Sequence, residues 1–139
     1  MALLNFGAKD KKLVNRKSDL ENFLRGFSIE VMPRTAAKIK DFRELLPSGT
    51  RVYIAHLEDT PIEEMVATAK RITLEGYDVM PHFPARIIKN KETLKNWIAM
   101  YQGEANVTQA LLLAGGLNKP YGEFKDSMEL LDSEIVSTT

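Results

Sequence analysis

Cysteine is absent from the 139 residues, so disulfides, thiolate catalysis and cysteine-based zinc sites are all excluded. Excess charge of either sign is missing too: Lys+Arg and Asp+Glu are 19 each. A general nucleic-acid binder needs surplus positive charge to displace counterions from phosphates, so that class is disfavoured. No apolar run approaches the length a transmembrane helix requires, and the opening Met1-Ala2-Leu3-Leu4-Asn5-Phe6 is too short for a signal peptide. The expectation is therefore a cytoplasmic chain with no membrane partner. No Gly-x-Gly-x-x-Gly and no Walker loop occurs, which removes the usual glycine-rich phosphate cradles. Histidine is scarce, with two in the whole chain, and both fall next to candidate strand ends.

What is present is an ordinary globular composition, 44% hydrophobic and 27% charged, in a length that suits one domain. Residues 1–26 read as an arm and a short helix. The arm carries Lys9, Lys11, Lys12, Arg16 and Lys17, read as a solvated basic stretch. Ser18-Asp19-Leu20-Glu21 has the spacing of a capping box and is expected to start a helix bearing Leu20, Phe23 and Leu24.

Residues 27–132 form a repeat. Strand-like runs are expected at 27–32, 51–57, 77–83 and 108–114. A helix near Thr35 would place Ile39, Phe42, Leu45 and Leu46 on one side. A second, capped by Thr60 with Pro61 and Glu63, carries the stripe Ile62, Met65, Val66, Ala69 and Ile72 and stops at Gly76. A third starts at Asn90 and buries Leu94, Trp97, Ile98 and Tyr101, and a last one from about Glu123 uses Phe124, Met128, Leu130 and Leu131. The fourth strand is nearly all apolar, as strands covered on both faces are. Residues 133–139 are expected to fray. Strand–helix alternation of this kind means a parallel sheet with right-handed crossovers. Two architectures fit: a four-strand half of a TIM-type (β/α) barrel, or a small doubly wound sandwich with helices on both faces.

In a parallel sheet the loops at the carboxyl ends of the strands share one rim, where such folds keep their chemistry. Glu30, His56, Glu58, His82, Arg86, Gly115, Gly116 and Asn118 collect there. Period-two alternation puts Glu30 and His82 on faces that can look across one cavity. A carboxylate within an apolar strand is costly to desolvate, so Glu30 is either salt-bridged, with Arg34 as one partner, or a functional acid with a raised pKa. On the residues alone His82 reads sooner as a core histidine bonded to backbone than as a functional group, and His56 as a surface-loop histidine. Nothing fixes a three-ligand geometry, so no metal is expected. Leu113-Ala114-Gly115-Gly116 offers a close backbone approach at a strand end, or a plain turn.

Three of these pieces resemble one family. Phe27-Ser28-Ile29-Glu30-Val31-Met32-Pro33-Arg34-Thr35 resembles the opening strand motif of methylenetetrahydrofolate reductases. Met80-Pro81-His82 resembles that family's Pro-His at the end of strand three, and Leu112-Leu113-Ala114-Gly115-Gly116 occupies the place of its strand-four Leu-Arg-Gly-Asp. Order and separation agree over about residues 26–132, the amino-terminal half of a family barrel. The resemblance implies half of an eight-stranded (β/α) barrel that binds FAD, takes electrons from NADH or NADPH, and reduces a folate-type small molecule. By position it makes Glu30 the acid that protonates the folate, and His82, Leu113, Ala114, Gly115 and Gly116 contacts of the flavin. His56 and Asn118 are weaker candidates for substrate contact. The chain departs from the family at Ala55, where a threonine near the flavin phosphates belongs, and at Gly116, where an aspartate that tunes the flavin belongs. The chain is accordingly read as a segment of a longer enzyme, completed by a second copy or a complementing half-barrel. Two other readings stay open: a non-catalytic half-barrel module for ligand binding or assembly, and a folate-dependent enzyme that uses no flavin.

Overall fold

The computed structural model describes residues 16–136. The basic residues before Arg16 and the last three of the expected frayed tail lie outside them. The elements are α1 Arg16–Phe23, β1 Ser28–Val31, α2 Pro33–Ala36, β2 Arg51–Ile54, α3 Ile62–Leu74, β3 Asp78–Pro84, α4 Lys91–Ala105, β4 Leu111–Leu113 and α5 Ser127–Asp132, with 3₁₀ turns at Phe42–Glu44 and Ala85–Ile87.

All strand pairs are parallel, and the four-stranded sheet runs in the order β1-β2-β3-β4. A doubly wound sheet needs a point where the strand order reverses. The sequential order has none, so the sandwich alternative is set aside. Burial agrees. Val31, Val52, Ile54, Val79, Pro81 and Phe83 alternate onto one face and are buried, whereas Ser28, Glu30, Tyr53, Asp78, Met80 and His82 alternate onto the other and stay exposed or half-buried. The covering layer includes α3, which buries Met65, Val66, Ala69 and Ile72 as its apolar stripe requires and packs on β2, β3 and α4. A sheet with one dry face and one open face results.

Helix ends follow local chemistry in α3 and α4. Asn90 accepts a hydrogen bond from the Thr93 amide and so caps α4. At the end of α3, Gly76 has φ +92°, and the Gly76 and Tyr77 amides bond back to Thr73 and Ile72, the Schellman arrangement that needs a left-handed residue there. The start of α3 differs from expectation. Pro61 stands at the cap and no side chain caps the helix.

The next correction has a tertiary cause: distant side chains take backbone groups that a helix would have used. The helix expected near Thr35 is broken into α2 and the turn at Phe42. The Ala36 carbonyl accepts from the Arg71 guanidinium at 2.9 Å, and the Phe42 amide donates to the Glu75 carboxylate at 2.8 Å. Phe42 is thereby pulled fully inside, with Arg71 stacked 5.3 Å from its ring centroid, while Leu45 is left outside. The last helix begins at Ser127 rather than Glu123: the Asp126 carboxylate accepts from the Met128 and Glu129 amides and caps it there. Ser18 lies inside α1, and Leu20, Phe23 and Leu24 are all exposed. The fourth strand is not covered on both faces. It is a three-residue edge, and its first residue, Leu111, is 39% exposed.

Candidate active site

Glu30 is the next-to-last residue of β1, in register with Tyr53 on β2 and Met80 on β3. His82 lies two residues past Met80, one alternation closer to the carboxyl ends. Glu30 reaches diagonally over the intervening strand, and its Oε2 lies 3.4 Å from His82 Nε2. Ala55, two residues past Tyr53 on the same alternating face, adds only a methyl group beneath this crossing. The expected convergence of Glu30 and His82 is thus found. The expected burial of Glu30 is not: its side chain is 59% exposed, against 11% for His82. Glu30 stands on the sheet's open face, and this is the physical reason the desolvation argument fails for it.

The contact is close without hydrogen-bond geometry, and His82 Nε2 has no hydrogen-bond partner among the described residues. Burial pushes the His82 pKa below the ordinary imidazole value, and the Glu30 carboxylate pushes it partly back up. The neutral imidazole dominates at neutral pH. The ring also lies 6.1 Å from that of Tyr53.

His56 is not a surface-loop residue. It is buried, its ring stacks on Trp97 at 4.6 Å between centroids, and its Nε2 lies 3.0 Å from the Thr60 carbonyl. A carbonyl only accepts, so Nε2 carries the proton and Nδ1 is bare. Burial lowers the His56 pKa, the Thr60 carbonyl raises it, and the nearby His82 lowers it further. Trp97, assigned to the core by its helical stripe, therefore also supports the rim. That dual role leaves no mark in spacing alone.

A cleft of about 380 Å³ opens beside this pair, at the carboxyl ends of β2, β3 and β4. His56, His82, Leu113, Gly115 and Gly116 line it, so five candidate residues from three strand ends meet. Ala114 contributes through its carbonyl, which accepts from the Arg86 amide at 3.0 Å. Gly115 has φ +92°, and a Cβ there would sit 3.0 Å from Pro84, so glycine is required on two counts. Gly116 faces open space. Asn118 is exposed and does not line the cleft.

Arg86, at the same rim, is a staple rather than an anion ligand. Its Nε donates to the Lys125 carbonyl at 2.9 Å and a terminal nitrogen to the Leu117 carbonyl at 2.8 Å. The Tyr121 amide donates back to the Arg86 carbonyl at 2.7 Å. No Lys or Arg among the described residues lines the cleft. Among the described residues, no three His, Cys, Asp or Glu side chains cluster as metal ligands, and no helix is long and apolar enough to cross a membrane.

A larger concavity, about 820 Å³, lies at the opposite end of the sheet, around Gly26, Ser28, Gly49, Arg51 and Asp78. It carries no histidine, and it opens at the amino ends of parallel strands, away from where such sheets place their chemistry. The smaller cleft is the better candidate. No protein-family model matches the chain.

Proposed function

We propose that the chain is a segment of a methylenetetrahydrofolate reductase-like oxidoreductase, with its site on the carboxyl-end rim. One observation carries the reading. The ends of strands one and three bring a carboxylate and an imidazole within 3.4 Å, beside a glycine turn that closes strand four. These are the three places where the sequence resembles that family.

The finer fold belongs to the same reading. Four parallel strands in sequence order, dry on one face only, are what half of an eight-stranded barrel presents. The open face is then the inner wall. The strands to close it come from a second copy or a complementing half.

The cleft suits part of FAD. Its apolar lining and the glycine turn accept a flat ring, while no cation among the described residues lines it to pair with the diphosphate. Arg86 cannot supply one without releasing the Leu117 and Lys125 carbonyls. The residues to hold the ring are His82, Leu113 and Gly115, with Gly116 open beneath. When bound, the flavin supplies hydride gained from NADH or NADPH. Glu30, 3.4 Å from the cleft-lining His82, is the acid assigned to protonate the folate amine as the methylene bridge opens. His82→Ala should weaken FAD retention about tenfold or more while shifting the thermal midpoint little, since the imidazole Nε2 has no hydrogen-bond partner among the described residues. Equal affinity of both proteins for FAD, in a fluorescence titration, counts against the flavin site.

A further inference from the structure

Among the described residues His56 is the one histidine, lysine, arginine or carboxylate that is buried, at 7% exposure. Its Nε2 is committed to the Thr60 carbonyl at 3.0 Å, and its Nδ1 has no hydrogen-bond partner among the described residues. The bond to Thr60 spans the loop that joins β2 to α3. Two backbone bonds stand beside it: the Thr60 amide donates to Leu57 at 3.0 Å, and the Ala55 amide to Val31 at 2.8 Å. No side chain caps α3 where the loop enters it. Ala55, His56, Leu57 and Glu58 form one wall of the 380 Å³ cleft. We infer that His56 is a latch on this wall: the neutral ring, stacked on Trp97 and bonded to Thr60, holds the β2–α3 loop shut, and one added proton releases it.

The Nε2 hydrogen already points at Thr60, so an added proton goes to Nδ1. There it makes a buried cation whose new N–H has no acceptor among the described residues. Such a group is unfavourable unless the ring moves into water. The Trp97 face, 4.6 Å away between centroids, offsets part of this as a cation–π contact. Burial still outweighs the help of the Thr60 carbonyl and holds the pKa below the ordinary imidazole value. A ring that moves out leaves Trp97 and drops Thr60, and the loop loses its side-chain tie. The closed state thus binds the proton less readily than a free imidazole does. Closure is complete above about pH 6.5 and weakens as the pH falls below it. With one proton at stake, the ratio of released to latched molecules rises about tenfold per pH unit until the lowered pKa of the closed ring is reached.

The charged groups on the surrounding elements leave this assignment intact. From β3, His82 opposes a charge on His56, and burial keeps His82 itself neutral. Glu30 on β1 lies against His82. Glu58 in the loop, Glu63 and Glu64 in the first turn of α3, and Lys95 on α4 are all exposed. The end of strand four brings only Leu113, Gly115 and Gly116 to the cleft, none of them charged. None of these groups bonds Nδ1.

Control of ligand entry by this latch rests on the rim site proposed above, whereas the latch itself does not. It is therefore tested on the 139-residue chain with no flavin or folate present. Trp97 is the chain's single tryptophan, so its fluorescence reports the stack directly. Acrylamide quenching of Trp97 and the His56 ring protons in NMR spectra are followed as the pH falls from about 8 to about 5, the range in which an imidazole changes charge. Far-UV circular dichroism checks the fold throughout. Quenching should rise in one step, at the pH where the His56 protons shift and below about 6.5, with the circular dichroism unchanged. His56→Gln takes up no proton and should show the same quenching at every pH. A His56 titration with flat quenching overturns the latch, because the cation then stays in place. A step in His56→Gln equal to that of wild type overturns it too, as does a step that appears only with loss of the circular dichroism. If His56→Gln does not fold, coincidence of the two wild-type steps decides alone. Failure here leaves flavin binding untouched, and failure of flavin binding leaves the Trp97 step untouched.

Discussion

Gly122→Ala should be among the most damaging single-methyl changes in the chain. A Cβ at 122 would be driven into the backbone carbonyls of Ile88 and Lys89. Neither carbonyl yields easily. The Ile88 side chain is fully buried, and the Lys89 carbonyl accepts from the Glu123 amide at 3.0 Å. Overpacking against fixed atoms costs about 1–3 kcal/mol, and backbone on backbone falls at the upper end or beyond. Against a typical domain stability of about 5–15 kcal/mol that is a large fraction. The loop that Arg86 staples, and with it the strand-four turn, should loosen. Urea unfolding is the measurement: the midpoint should fall clearly for Gly122→Ala and stay put for Gly116→Ala, whose added methyl meets nothing. A Gly122→Ala midpoint equal to wild type would show that this loop does not sit where it is described.

Glu30→Gln should separate the two half-reactions. In a form of the protein that reduces folate, the amide keeps the size of the side chain and removes its acid. A positioned general acid contributes about 10²–10⁴-fold, so folate reduction should fall by that order. Flavin reduction by nicotinamide needs no proton from this carboxyl and should keep most of its rate. The exposure of Glu30 on the open face makes the contrast cleaner, because the substitution leaves no unpaired polar group in a dry core. Stopped-flow measurement of each half-reaction reads the split. Loss of both in equal measure would show that Glu30 holds the site together and supplies no proton.

The repeat of strands and helices, and the residues that punctuate it, were legible in the chain. Asn90 and Gly76 act through local backbone geometry, which sequence carries directly. The stripe from Met65 to Ile72 marks a covered helix face for the same reason. Less legible was everything set by distant partners. Phe42 leaves its expected helix because Arg71 and Glu75, some thirty residues later, take the backbone groups. The apolar run Leu111-Leu112-Leu113 mimics a doubly covered strand, since composition cannot distinguish an edge from a centre. At the rim, alternation and strand order placed Glu30 and His82 on one face. Burial did not follow, because whether a sheet face is dry depends on what lies over it. The stacking of His56 on Trp97 and the staple at Arg86 arise from loops whose paths no periodicity encodes.

The central claim is that ligand chemistry belongs to the carboxyl-end rim and not to the larger hollow at the other end of the sheet. Hydrogen–deuterium exchange with and without FAD tests it most directly. The account predicts slowed exchange at the strand ends around Ala55–Glu58, His82–Arg86 and Leu113–Leu117, which border the 380 Å³ cleft. Slowed exchange confined to Gly26–Ser28 and Pro47–Arg51, around the 820 Å³ concavity, or no change anywhere on the chain, would contradict it.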